Sequence, residues 1–233
     1  MARSQFEGFQ KRYVILCEGD NDHAFFESLI TYHGFQDFQV ASPKTLGYPE
    51  GGKSYFKTAL SSFWATTGFN NVAAVLIASD NDDDRAASLA DVRRALEDAD
   101  KDDFSTPPRR FAVPNQPLQK AGTSPIVVVM MLPWTDELGN LETMCFEAAS
   151  RAQPAKRQCV DAFSACTGAV RWRMSRRSKM QIRTIIAGSH EDNPDMGLTF
   201  VWKRRPDMIP LNDHVFNRVS DFLRNFHAFL QPE

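Results

Sequence analysis

The sequence predicts an α/β protein: a mainly parallel sheet of about four strands between helices, followed by a helical C-terminal elaboration. Three observations predict it. Short β-branched apolar runs alternate with amphipathic helical stretches over the first two-thirds of the chain. Two of those runs, Val72–Ser79 and Ile126–Leu132, are apolar without interruption, as strands covered on both faces are. After Pro133 the periodicity becomes helical to the end.

Taken in order, Tyr13–Cys17 reads as a strand and residues Asp22–Tyr32 as an amphipathic helix. That helix turns Phe25, Phe26, Leu29 and Ile30 to one face and is stopped by Gly34. Phe38–Val40 is a short strand suited to a sheet edge. Ser42–Gly52 carries two prolines and three glycines and reads as turn, leading into a helix over Lys53–Trp64 with Tyr55, Phe56, Ala59, Leu60 and Phe63 inward. Val72–Ser79 is the third strand, and Arg85–Asp98 a helix with Leu89, Val92 and Leu96 at helical spacing. Between Asp102 and Pro125 five prolines argue for a long irregular excursion holding a short strand at Arg110–Val113. Ile126–Leu132 is the fourth main strand, central with the third. Helices are then expected over Asn140–Ala149, Ala155–Thr167, Lys179–Ala187 and Asp213–Phe229. The organisation is a core over residues 10–135 and a helical part over residues 136–233 packed on the same domain.

At 233 residues and 42% hydrophobic content, the chain can bury one substantial core. No apolar run reaches the roughly 20 residues that span a bilayer, and no signal-peptide pattern follows Met1. Cys17, Cys145, Cys159 and Cys166 show neither a Cys-x-x-Cys pair nor a zinc spacing, so a reducing, cytoplasmic setting is expected. The net charge of −2 hides a strong asymmetry. Residues 80–103 hold ten acidic and four basic side chains; residues 151–183 hold nine basic and one acidic. An acidic pole beside a basic one suits an enzyme acting on a polyanion, although each run alone reads equally well as a solvated face.

The chemistry is suggested by how the strands end. The first stops on Glu18-Gly19-Asp20-Asn21-Asp22, the third on Asp80-Asn81-Asp82-Asp83-Asp84. In a parallel sheet both stops lie at the carboxyl edge, where such folds put their chemistry. Carboxylates meeting there repel one another unless a cation neutralises them, and hard oxygen donors suit Mg²⁺ or Mn²⁺. Asp80 and Asp82, alternate residues leaving a strand, are expected to hold one ion. Glu18 is the candidate acid/base or ligand at the attacking or leaving oxygen. Asp22 is either a further ligand or a helix cap. Asp83 and Asp84 suit the first turn of a helix, with Asp84 also placed to reach a second ion or its water.

Glu18-Gly19 with Asp22, followed by Asp80-Asn81-Asp82 after the third strand, resembles the Toprim domain. A second set of residues is similar to small stand-alone Toprim proteins related to OLD-family nucleases: Pro133 after the fourth strand, Gly139-Asn-Leu141-Glu142 opening a helix, and Lys179 at a helix start. The resemblance implies a Toprim-like, Rossmann-like fold and a Mg²⁺- or Mn²⁺-dependent hydrolysis of phosphodiester bonds in DNA or RNA. It implies Glu142 as a ligand, plausible for a second ion about 4 Å from the first, and Lys179 as a positive charge for the transition state. Arg173, Arg176, Arg177 and Arg183 are expected to hold nucleic-acid phosphates, with Trp172 either stacking on a base or serving as core. The alternative is a non-catalytic Toprim module that binds nucleic acid or a partner protein as a sensor or assembly subunit. A partner protein or a homo-oligomer is compatible with either reading.

Overall fold

The computed structural model describes residues 6–63, 65–101, 111–112 and 125–231. Its strands are β1 (Tyr13–Cys17), β2 (Phe38–Ala41), β3 (Ala74–Asp80), β4 (Phe111–Ala112) and β5 (Ile126–Leu132). The helices are α1 (Asp20–His33), α2 (Phe56–Phe63), α3 (Arg85–Lys101), α4 (Leu141–Ala152), α5 (Pro154–Cys166), α6 (Met174–Ala187), α7 (Leu198–Arg204), α8 (Asn217–Arg224) and α9 (Phe226–Phe229). Of the predicted proline-rich excursion only β4, inside the strand expected at Arg110–Val113, and Pro125 fall within the described residues.

All strand pairs are parallel, in the order β2-β1-β3-β5-β4. The expected edge strand is β2, and β3 lies at the centre. The chain leaves β1 to one side for β2 and then returns to the other side for β3. The carboxyl ends of β1 and β3 are therefore a topological switch point, where crossover connections diverge and leave a crevice. Glu18 and Asp80 stand at these two ends.

The period-two alternation of strands divides the core into two layers. Tyr13, Ile15 and Cys17, with Leu76 and Met130, face a layer that includes Phe25 and Phe26 of α1, Met144 and Cys145 of α4, Ile182 and Ile186 of α6, and Phe216 and Phe226 near the C-terminus. Val14, Leu16, Val75, Ile77 and Val129 face Phe56, Leu60 and Phe63 of α2 and Val92 and Leu96 of α3. β1 and β3 are buried along their whole length, which their unbroken apolar sequences anticipate. Residues from both expected parts of the chain share the first of these layers.

Four helices differ from expectation. The stretch expected as one helix over Asp213–Phe229 is a 3-10 turn (His214–Phe216) followed by α8 and α9, broken at Asn225. At Asn225, whose φ −97° and ψ 8° leave the helical range, the Asp221 carbonyl accepts both the backbone N–H, at 3.1 Å, and the side-chain amide, at 2.9 Å. The apolar face of this segment is core: Phe216, Val219, Leu223 and Phe226 are all buried. α6 starts at Met174, five residues before the expected Lys179, because a distant side chain satisfies its first turn, as described below. α7 was not anticipated; its seven residues are too few for a clear period, yet Leu198, Val201 and Trp202 are buried. The helix expected from Lys53 begins as a 3-10 turn (Lys53–Tyr55) and becomes α-helical at Phe56, with its expected last residue, Trp64, outside the described residues.

Candidate metal centre at the sheet switch point

Each acidic strand end is shaped by its own local structure. After β1, Gly19 caps α1 in an extended conformation. The Asp22 carboxylate reaches back to accept from the Gly19 N–H at 3.1 Å, so the capping role foreseen for Asp22 is present. Glu18 lies between the strand and that cap. Its Oε1 accepts from the Ser79 hydroxyl at 2.5 Å and from the Asp80 N–H at 2.9 Å, binding the end of β1 to the end of β3.

The Asp80-Asn81-Asp82 segment splits into three jobs. Asp80 points inward, 8% exposed, and its Oδ1 accepts from the Leu141 N–H at 3.0 Å in the first turn of α4. Asn81 is a bracket, 1% exposed: its amide donates to the Trp134 and Glu137 carbonyls at 2.6 and 2.7 Å, tying the β3 and β5 ends together. Asp82 adopts φ +51°, a left-handed conformation that aspartate tolerates. This turn sends its carboxylate to the Lys53 ammonium at 2.9 Å.

One pocket of about 360 Å³ gathers Glu18, Asp22, Asp80, Glu142 and Lys179. It also holds Asp20, Asn21, Lys44, Gly51, Gly52 and Thr199. Glu142 is 8% exposed and accepts from the Asn21 side-chain amide at 3.3 Å, while the Thr199 hydroxyl donates to the Asn21 side-chain Oδ1 at 3.2 Å. At the rim Lys44 pairs with Asp20 at 2.7 Å. Asp82 is next to the pocket but does not line it. Asp84 is elsewhere: it accepts from the Ala87 N–H at 3.0 Å as the cap of α3 and borders a different cavity with Arg85, Asp136 and Glu137.

The carboxylates perturb one another strongly. Burial first, then the charges of Glu18 and Glu142, push Asp22 up to about 8. Burial, then Asp22, Glu18 and Glu142, lift Asp80 well above the ordinary carboxylate range. Burial raises Glu18 as well, against the lowering influence of Lys53, Ser79 and the Asp80 N–H. For Lys179 burial opposes the charge, but Glu142, Asp80, Asp82 and Asp22 outweigh it and its pKa is raised. The lysine thus stays an ammonium facing an acidic pocket.

The donor chemistry fits a hard divalent cation: carboxylate oxygens gathered in a crevice and destabilised by one another. Among the described residues no group of three or more acidic, histidine or cysteine side chains is arranged to hold a metal ion. Mg²⁺ does not require one, since it keeps several waters and takes only one or two carboxylates besides substrate phosphate.

The acidic and basic runs meet at the base of α6. Asp83 accepts from the Ser175 N–H at 3.1 Å and from its hydroxyl at 2.6 Å, capping the helix from 92 residues away. Burial opposes the charge of Asp83, yet these bonds hold its pKa below normal. Asn140, which caps α4, donates to the Ser175 carbonyl at 3.1 Å and accepts from Ser178 at 2.9 Å. These contacts position the helix that carries Lys179, which therefore lies in its second turn rather than at its start. Arg176, Lys179 and Arg183 follow one face at i, i+3 and i+7. Arg173, Arg176 and Arg183 are exposed, whereas Arg177 donates to the Val170 carbonyl at 3.1 Å and braces the preceding turn. Trp172 is 49% exposed.

Sequence reasoning missed Lys53. Its ammonium donates to the Asp80 carbonyl (2.7 Å), to Asp82 (2.9 Å) and to the Ser88 hydroxyl (3.1 Å), and lies 3.9 Å from Glu18. The available signal was Gly51-Gly52-Lys53, where a turn-rich segment meets a helix. A Cβ on Gly51 would come within 2.4 Å of the Glu18 carbonyl oxygen, and the Gly52 N–H donates to that oxygen at 2.8 Å. Only a glycine loop brings this lysine so close beneath the pocket.

Fold and site together define a doubly wound parallel α/β protein with a carboxylate-lined pocket at its switch point. The chain belongs to the family described as "Protein of unknown function (DUF3226)", whose model matches residues 12–232. No curated protein matches it. Similar solved structures include the C-terminal region of the Burkholderia pseudomallei OLD protein, at 14% identity and a TM-score of 0.38, covering 94% of this chain and 99% of that one. The C-terminal region of the Xanthomonas campestris pv. campestris OLD protein gives 14% identity and a TM-score of 0.37, covering 94% and 98%.

Proposed function

We propose that this protein is a Toprim-type, Mg²⁺- or Mn²⁺-dependent nuclease that hydrolyses phosphodiester bonds in DNA or RNA. The observation that carries the reading is the convergence of Glu18, Asp22, Asp80 and Glu142 with Lys179 in one pocket at the switch point. Asp80 and Glu142 would hold the cation, with Asp22, which also caps α1, beside them. When bound, such an ion polarises a phosphoryl oxygen and acidifies water. Glu18, with Oε1 anchored by Ser79 and the Asp80 N–H, takes the proton from the attacking water. A carboxylate whose pKa is raised by burial is a better base for that task than an ordinary one. Lys179, kept charged by the surrounding carboxylates, stabilises the negative charge that grows on the phosphoryl oxygens. Arg173, Arg176 and Arg183 continue the positive surface along α6, where phosphates flanking the scissile bond are held.

The test is cleavage of supercoiled plasmid, single-stranded DNA and structured RNA by the purified protein with Mg²⁺ or Mn²⁺. Asp80→Ala and Lys179→Met variants run beside it. The expected result is cleavage of one substrate class, abolished in Asp80→Ala and reduced on the order of 10²-fold or more in Lys179→Met. Cleavage that survives in Asp80→Ala, or none by a folded wild-type protein, would overturn the reading.

A further inference from the structure

The Lys53 ammonium is an unusual occupant of an acidic crevice. A lysine has three N–H donors, and all three are used here, on the Asp80 carbonyl, the Asp82 carboxylate and the Ser88 hydroxyl. The side chain is 15% exposed, so this is not a solvated surface pair. Its loop is fixed from behind by the Gly51 and Gly52 contacts to the Glu18 backbone. The left-handed turn at Asp82 aims that carboxylate at the ammonium, and Asp82 does not line the pocket. Glu18 is within 3.9 Å on the other side. The lysine thus touches groups from both strand ends, where a cation bridging the two acidic motifs would otherwise sit.

We propose that Lys53 takes the place of a second divalent ion, so that the pocket binds a single Mg²⁺ or Mn²⁺. The inference rests on the metal-dependent reading above. A second ion coordinated by Asp82 would have to displace the ammonium, taking its donor from the Asp80 carbonyl and leaving the Ser88 hydroxyl with only its bond to the Asn81 carbonyl. An ion bound beside the ammonium instead would meet a like charge a few ångströms away in a poorly solvated crevice. Asp82 is then a counterion to Lys53 rather than a ligand, and the single ion belongs to the pocket side, with Asp80, Asp22 and Glu142. A purely structural lysine would make the same hydrogen bonds, but it would not govern how many ions bind.

The decisive experiment counts Mn²⁺ bound by chelator-stripped protein, following free Mn²⁺ by electron paramagnetic resonance. Wild type, Lys53→Met and Lys53→Arg are titrated, with circular dichroism as the check on folding. One ion is expected for wild type and for Lys53→Arg, and two for Lys53→Met, whose side chain has similar length and no charge. Two ions on wild type would overturn the proposal while leaving the metal reading intact, and that count decides even if Lys53→Met does not fold. One ion on a folded Lys53→Met would also overturn it, since the lysine would not be what excludes the second. No Mn²⁺ on wild type would sink the metal reading itself, and this inference with it.

Discussion

A Cβ added to Gly51 would fall 2.4 Å from the Glu18 carbonyl oxygen, which makes Gly51 the most constrained glycine lining the pocket. Backbone oxygen cannot swing aside as a side-chain tip can, so an added methyl group moves the whole Gly51-Gly52-Lys53 loop. Gly51→Ala is expected to cost about 1–3 kcal/mol, the usual range for overpacking. It should also loosen Lys53 from Asp82. Urea denaturation measures the first effect; a Gly51→Ala protein as stable as wild type would mean that this close approach does not exist. The same scale explains why Asp80 and Asp82 part company. They are alternate residues, but the left-handed backbone at Asp82 cancels the alternation that an extended strand would have given.

Among the elements, α6 depends most on a partner outside itself. Its N-cap residue, Arg173, supplies no side-chain hydrogen bond, and Asp83 does so from the β3–α3 loop. Charged hydrogen bonds of this kind are worth roughly 1–3 kcal/mol when buried and less when half-exposed. We expect Asp83→Ala to destabilise the protein by about 1–2 kcal/mol, toward the lower part of that range. Amide exchange in the first turn of α6, around Ser175–Lys179, should accelerate while β5 stays protected. If the exchange of that turn is unchanged, Asp83 does not hold the helix. Because Lys179 rides on the next turn, the variant should also weaken cleavage without touching the carboxylates.

At the scale of the molecule, the C-terminal segment closes one face of the sheet and is latched by Asp213. Its carboxylate accepts from Arg151 of α4 at 2.9 and 2.6 Å and from the Val215 N–H at 2.9 Å. The Arg151 hydrogen bonds, against burial and with help from the Val215 N–H, lower its pKa. A depressed carboxylate contributes stability that is present above its unfolded pKa of about 3.9 and is lost as pH falls through the folded value. Asp213→Asn should therefore cost about 1–2 kcal/mol at pH 7. The gap to wild type should narrow as the pH drops below about 4. Denaturant midpoints of the two proteins at pH 7 and pH 3.5 test this, and a gap that is constant with pH would rule out the charged latch.

Much of this protein was written in local pattern. The β-branched runs fixed β1, β3 and β5 because burial on both faces demands unbroken apolar sequence, and the abrupt acidic stops placed Glu18 and Asp80 at the sheet edge. Helix interiors followed from the spacing of Phe25, Phe26 and Leu29, or of Val92 and Leu96. What local pattern could not carry was anything set by a contact across the chain. The early start of α6 needs Asp83, and the buried ammonium of Lys53 needs a glycine loop folded against another strand. Hydrophobic period is a property of neighbours in sequence, so sequence alone determined the sheet and its acidic edge. Hydrogen bonds and charge pairs in a crevice are properties of neighbours in space, so only the tertiary structure decided which carboxylates face the pocket and which are already answered by a lysine.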